Sequence, residues 1–244
     1  MTELGGLDNP VRLATPGGLG YHSRSKGGDA MRACVVFFFI VVSLVSLPLA
    51  ADGIQWAVNQ PLRWADFRGA PPSQPMLEAA SIDMRVTWHV AYTVSYDPSR
   101  SCWTGRIDGI TVENTMDPYG SWVVPGKKNR DLLNHEQRHF DLNEVYALRL
   151  RAELCRVSAT GKTADAAKHA LSERINGTAA QILSTLSAMQ ELYDDETGHG
   201  TDPSAQAEWD IRIDSWLARP ELAPATVGEL AVDFGKMVIQ SKKR

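Results

Sequence analysis

Ile82-Asp83-Met84-Arg85-Val86-Thr87-Trp88-His89-Val90-Ala91-Tyr92-Thr93-Val94-Ser95-Tyr96 places an apolar residue at every even position and mostly polar or small residues between them. Successive side chains of a strand point to opposite faces, so this period of two predicts a strand buried on one side. His89 falls on its polar face. Asp97-Pro98-Ser99 supplies turn residues, and Trp103 to Met116 reads as the returning strand. Upstream, Pro61 to Gly69 followed by Pro71-Pro72 reads as a short edge element and a rigid turn.

After Pro125-Gly126 the period changes. Residues 129 to 157 hold helix formers with no Gly or Pro among them, and Leu132, Leu133, Phe140, Val145, Leu148 and Leu154 form a broad apolar side. Gly161-Lys162-Thr163 interrupts the pattern, and a second helix follows with Ala164, Ala167, Leu171, Ile175, Ala179, Ile182, Leu186, Met189 and Tyr193 at three- and four-residue spacing. The short linker predicts antiparallel packing of the two helices. Residues 194 to 201 are dense in Gly and turn formers and read as a loop. Asp202-Pro203 then fits an N-cap and first helical position for a third helix through about Leu217. The expected class is α+β, with N-terminal antiparallel strands followed by a long antiparallel helix pair and a third helix.

The first long helix carries His135-Glu136-Gln137-Arg138-His139. Two histidines four residues apart project from one helical face and can share a metal ion. Glu136 lies beside that face, where a carboxylate reaches metal-bound water as a general base. The other reading of the pattern, two solvated histidines on a polar face, leaves the central Glu without a role. A catalytic zinc takes three protein ligands and keeps one position open. A third His six residues after the second is absent, because position 145 is Val. An antiparallel second helix returns its C-terminal end towards His135, which brings Glu191, Glu196 and His199 into range. His199 stands between two glycines, where its ring can approach a metal, and it is the expected third ligand, with Glu191 and Glu196 as alternatives. Asp131, one turn before His135, is a candidate to orient it. His169 faces the polar side of the second helix.

Three segments carry a resemblance: Leu62 to Gly69, Leu133 to Asp141, and Tyr193-Asp194-Asp195-Glu196-Thr197-Gly198-His199-Gly200. Together they resemble a bacterial domain-of-unknown-function family described as predicted secreted zinc-dependent proteases, over about residues 55 to 217. The His-Glu-x-x-His motif is generic to many zinc peptidases; the other two segments make the likeness more particular. The resemblance implies a zincin-like peptidase fold and metal site, and it carries no substrate.

The N-terminal part reads as targeting sequence. Ala33 to Leu47 is almost wholly apolar, with Arg32 before it and Pro48-Leu49-Ala50-Ala51 after it. That is the order of a signal peptide, and the apolar run is short for a membrane span. Residues 1–51 are therefore expected to be an N-terminal extension and signal peptide, 52–218 the metallohydrolase domain, and 219–244 a C-terminal tail. The expected location is periplasmic or secreted, with membrane contact only through an uncleaved signal segment. Met31 is a second candidate start. Residues 52–244 keep 21 Lys and Arg against 26 Asp and Glu. That balance lacks the electrostatic footprint of a nucleic-acid binder. Cys102 and Cys155, the two cysteines beyond the signal segment, are expected to form a disulfide in an oxidising compartment.

The expected activity is peptide hydrolysis on a protein or peptide substrate with Zn2+ as cofactor. Its extended chain would pair with an edge strand near the site, for which the 82–116 hairpin or Trp122-Val123-Val124 are candidates. The competing class is a non-catalytic envelope protein that holds zinc structurally or binds a partner through the sheet. Glu136 separates the two, because a structural site gains nothing from a base at that position.

Overall fold

The period of two holds almost to its end: Ile82, Met84, Val86, Trp88, Val90, Tyr92 and Val94 are all buried, and only Tyr96, beside the turn, is exposed, at 48%. In this computed structural model, which describes residues 3–13, 53–73, 78–226 and 229, that run is the middle strand of an antiparallel sheet. The strands are β1 (Glu3–Leu13), β2 (Ile54–Gln55), β3 (Ala80–Asp97), β4 (Cys102–Val123) and β5 (Ser158–Gly161). Their order is β1-β3-β4-β2, with β5 also paired to β4. β3 and β4 form one long hairpin from Asp97↔Cys102 to Ala80↔Val123, with register shifts between Ser81 and Asp83 and between Ala91 and Tyr92. The returning strand is therefore longer than Trp103 to Met116. The proposed signal segment and the chain end from 230 on lie outside the described residues.

Three helices cover the buried face: α1 (Arg130–Leu154), α2 (Ala164–Thr197) and α3 (Pro203–Ala218). Each begins on a side-chain cap: Asn129 accepts from the Leu132 amide, Thr163 from that of Ala166, and Asp202 from those of Ser204 and Ala205. Such caps satisfy amides that a helix leaves open and contribute about 1 kcal/mol each. The main core joins Val86, Val90 and Tyr92 to Leu142, Leu150, Leu171, Ile175 and Leu186. Trp209, Ile213 and Trp216 bring α3 into it. A second apolar cluster, with Leu62, Phe67, Ile82, Met116, Leu132 and Phe140, lies under the start of β3. The class is α+β, with an antiparallel sheet and three helices.

β5 is a strand that the sequence pattern did not disclose. Its Gly161 lets α2 come close, since a Cβ there would stand 2.4 Å from the Ala167 backbone nitrogen. The same strand accounts for a correction: Cys102 and Cys155 are both free. β5 runs antiparallel to β4, with Trp103 opposite Gly161 and Arg106 opposite Ser158. Cys155, at the end of α1 just before β5, therefore lies towards the Arg106 end, while Cys102 lies beyond the Gly161 end. At about 3.4 Å per residue the ladder holds them roughly 13 Å apart, and a disulfide needs Cα atoms closer than about 7 Å. Residues just past α3 also pack on the domain. Ala223 is buried in the main core, and the Arg149 guanidinium donates to the carbonyls of Pro220, at 3.0 Å, and Ala223.

Candidate metal centre

α1 is amphipathic, and His135, Glu136 and His139 lie on its inward side with 2%, 3% and 2% of their surface exposed. Burying three ionisable groups is costly unless each is paired. The Nε2 atoms of His135 and His139 stand 3.1 Å apart, and the Asp194 Oδ1 lies 3.1 Å from the first and 2.9 Å from the second. Asp194 belongs to the last turn of α2, which packs antiparallel to α1. Among the described residues, His135, His139 and Asp194 are the His, Cys, Asp or Glu side chains grouped closely enough to share a metal ion.

The rings are oriented by two glutamines. The Gln190 Nε2 donates to the His139 carbonyl and to Asn143 Oδ1, each at 3.0 Å. Its Oε1 is thereby turned to His139 Nδ1 at 2.6 Å. The Gln206 Nε2 donates to Asp210 and to the Tyr193 hydroxyl, both at 2.8 Å, which turns its Oε1 to His135 Nδ1 at 3.2 Å. An amide oxygen only accepts, so each Nδ1 carries the hydrogen and each Nε2 lone pair faces Asp194. Metal-binding histidines are held in this way, with the second nitrogen donating to a neighbour.

Three acceptor atoms facing one another require a proton or a cation between them. In the absence of an ion the proton settles on His139: burial depresses its pKa, but the Asp194 carboxylate overcomes this and carries it up to about 8. Burial dominates at His135 and holds it below its ordinary value. Burial also raises Asp194, yet the two histidines leave it well below the usual carboxylate range. A tetrahedral ion with ligands at about 2.0–2.1 Å spaces them about 3.3 Å apart, close to the separations seen, so the residues fit a bound metal ion. The space they enclose with Leu132, Glu136, His199 and residues 78–81 is about 20 Å³, on the scale of one ion or one water.

Glu136 lies on the wall of this space, and no hydrogen-bond donor among the described residues reaches its carboxylate. Burial, the largest influence, pushes its pKa up to about 7. A group poised near neutrality suits proton transfer.

The third member of the group is therefore Asp194 and not His199, Glu191 or Glu196. His199 stands at the mouth, 38% exposed at its side chain, with Nδ1 3.5 Å from Asp194 Oδ1. Gly198, His199 and Gly200 all have positive φ, between 54° and 75°. Gly200 passes so close over His135 that a Cβ would meet its ring carbon at 2.9 Å. Glu196 faces α3, where it accepts from Trp209 Nε1 at 2.8 Å. Glu191 is exposed. The neighbour that orients His135 is Gln206, while Asp131 is exposed. Arg138, inside the motif, ties α3 to α1 through Asp210 at 3.1 Å and Asp214 at 2.6 Å.

The fold and the site thus define an α+β domain with a buried two-histidine, one-carboxylate centre. Residues 121–200, which span α1, α2 and all four of His135, His139, Asp194 and His199, match the model of a family described as bacterial protein of unknown function (DUF922). No curated protein and no solved structure matches the chain.

Proposed function

We propose that this chain is an exported zinc-dependent peptidase with a zincin-like catalytic domain. The observation that carries the reading is the pairing of a lone-pair cage, His135, His139 and Asp194, with a buried carboxylate, Glu136, that is hydrogen-bonded to nothing else described. Zinc is the ion this donor set suits, because two imidazoles and one carboxylate with an open position are a familiar catalytic zinc environment. When bound, it supplies Lewis acidity for water and for the scissile carbonyl.

The chain's own residues do the rest. Gln190 and Gln206 hold the imidazoles in one tautomer, so no ring has to turn when the ion arrives. Glu136 takes a proton from the attacking water and delivers it to the leaving nitrogen, the two-way role of a general acid-base carboxylate. A groove of about 810 Å³ adjoins the metal cavity, sharing Ala79, Leu132 and His199 with it, and takes in the first turn of α1; it offers room for a peptide beside the site. Export is supported by the order of charged, apolar and small residues from Arg32 to Ala51.

The test is metal analysis of the protein purified without chelator, followed by a screen of the zinc-loaded form on a broad peptide library. One zinc per chain with cleavage of a subset of peptides is expected. Bound zinc with no cleavage anywhere in the library would move the protein to the class of non-catalytic zinc-holding envelope proteins.

A further inference from the structure

The wall facing α1 across the metal cavity is the segment Glu78-Ala79-Ala80-Ser81. It is held by the sheet: the Val124 amide donates to the Ala79 carbonyl at 2.8 Å, and Ala80 pairs with Val123. Glu78 stands on this wall half-buried, and among the described residues no cation or hydrogen-bond donor reaches its carboxylate. Among the described residues, the cavity lining contains no Lys or Arg. Glu136, buried and equally without a donor, faces the same space.

Among the described residues that line the cavity the charges do not balance. A divalent ion in the cage is matched by Asp194 and Glu136, with the histidines neutral, and this leaves the Glu78 charge over. A half-buried carboxylate with no partner is unfavourable, and it becomes favourable when a ligand brings the missing cation, because charge-assisted hydrogen bonds are the strong ones. The adjoining groove, lined by Lys127 and Arg130 together with Asp131 and Asp210, balances its own charges. A peptide with a cationic nitrogen near the scissile bond supplies what the cavity lacks.

Resting on the peptidase reading above, we propose that Glu78 is a specificity-determining residue that binds a substrate ammonium or guanidinium group next to the bond to be cut. Two sources offer that chemistry: the free amino terminus of a peptide, and a Lys or Arg side chain.

The experiment measures binding to the zinc-loaded Glu136→Gln protein, so that affinity is read without turnover, and compares it with the same protein carrying Glu78→Gln or Glu78→Asp. Three versions of one peptide are the probes: free amino terminus with neutral side chains, acetylated and neutral, and acetylated with a lysine beside the scissile bond. One or both cationic versions are expected to bind about tenfold tighter than the acetylated neutral one, the advantage vanishing in Glu78→Gln and surviving in part in Glu78→Asp. Which cationic version gains identifies the source. Absence of any preference, a Glu78→Gln loss shared equally by the neutral peptide, or no binding by any of the three would overturn the assignment. A Glu78-dependent preference together with no cleavage by zinc-loaded wild type would sink the peptidase reading alone. Cleavage with no such preference would sink the Glu78 assignment alone.

Discussion

The two walls of the metal cavity are built differently. The helical wall, with His135, Glu136 and His139 from α1 and Asp194 from α2, is buried, and both histidines are held by further side chains, from Gln190, Gln206 and Tyr193. The opposite wall and mouth, with Glu78 and His199, are partly exposed, and their side chains make few bonds. Rigid, satisfied side chains suit an ion that demands fixed geometry. Unsatisfied ones at an opening suit a partner that comes and goes. On the proposed function, the difference would divide the work, with metal binding on the helices and substrate contact on the segments around them.

The largest effect should come from breaking the helical wall. Asp194→Ala removes the carboxylate that faces both Nε2 atoms, and two histidines alone hold zinc poorly. The variant is expected to lose stoichiometric zinc and all turnover, read by metal analysis after dialysis. Full zinc retention would show that Asp194 is not a ligand and would reopen His199 for that role. Glu136→Gln should act next, on chemistry alone: unchanged zinc content, unchanged fold, and a kcat lower by about 100- to 10,000-fold. Equal turnover by the variant and wild type on the same peptide would remove Glu136 from the mechanism.

Weakening the support of one ring should cost less than removing a ligand. Gln190→Ala frees the His139 Nδ1 and removes the side-chain donor to the His139 carbonyl, so zinc affinity should fall by about 10- to 100-fold. A competition titration against a chelating dye measures it. Affinity within a factor of two of wild type would mean that helix packing, not Gln190, fixes the ring.

Much of this was legible in the sequence, and the misses have physical causes. Two candidate ligands and a candidate base within five residues of one helix need only the helical period to be brought together, so His135, Glu136 and His139 could be read directly. Asp194 comes from 55 residues further on, and its place depends on where α2 ends. Reading a loop from residue 194 removes it from any face. In the structure α2 continues to Thr197, and Gln190, Tyr193, Asp194 and Thr197, spaced three, four and seven apart, form one buried stripe. Met189 and Tyr193 already belonged to that apolar side, so extending the period by one turn was the signal available. Gly198 in the left-handed conformation is the C-cap that ends the helix. β5 went unread because four residues, Ser-Ala-Thr-Gly, carry no detectable alternation, and the disulfide expectation failed with it. The alternation of β3 was readable because a long strand with one buried face repeats its pattern many times.

The smallest expected effect belongs to the mouth, and it tests the division of labour most closely. His199 adopts a left-handed backbone conformation between two glycines of the same kind, a strained arrangement for a residue with a side chain that persists where the surroundings over-determine it. The loop therefore aims the imidazole at the cavity. If the helical wall alone holds the ion, His199→Ala should keep full zinc and lose no more than about tenfold in kcat/KM, the scale of one modest polar contact to the substrate. His199→Gly should keep the loop conformation at least as well and behave the same. Loss of zinc in both variants would make His199 a ligand after all and would place the boundary between metal binding and substrate contact inside the loop. Loss of zinc in the alanine variant alone would trace the effect to backbone strain displacing Gly200 from its contact with His135.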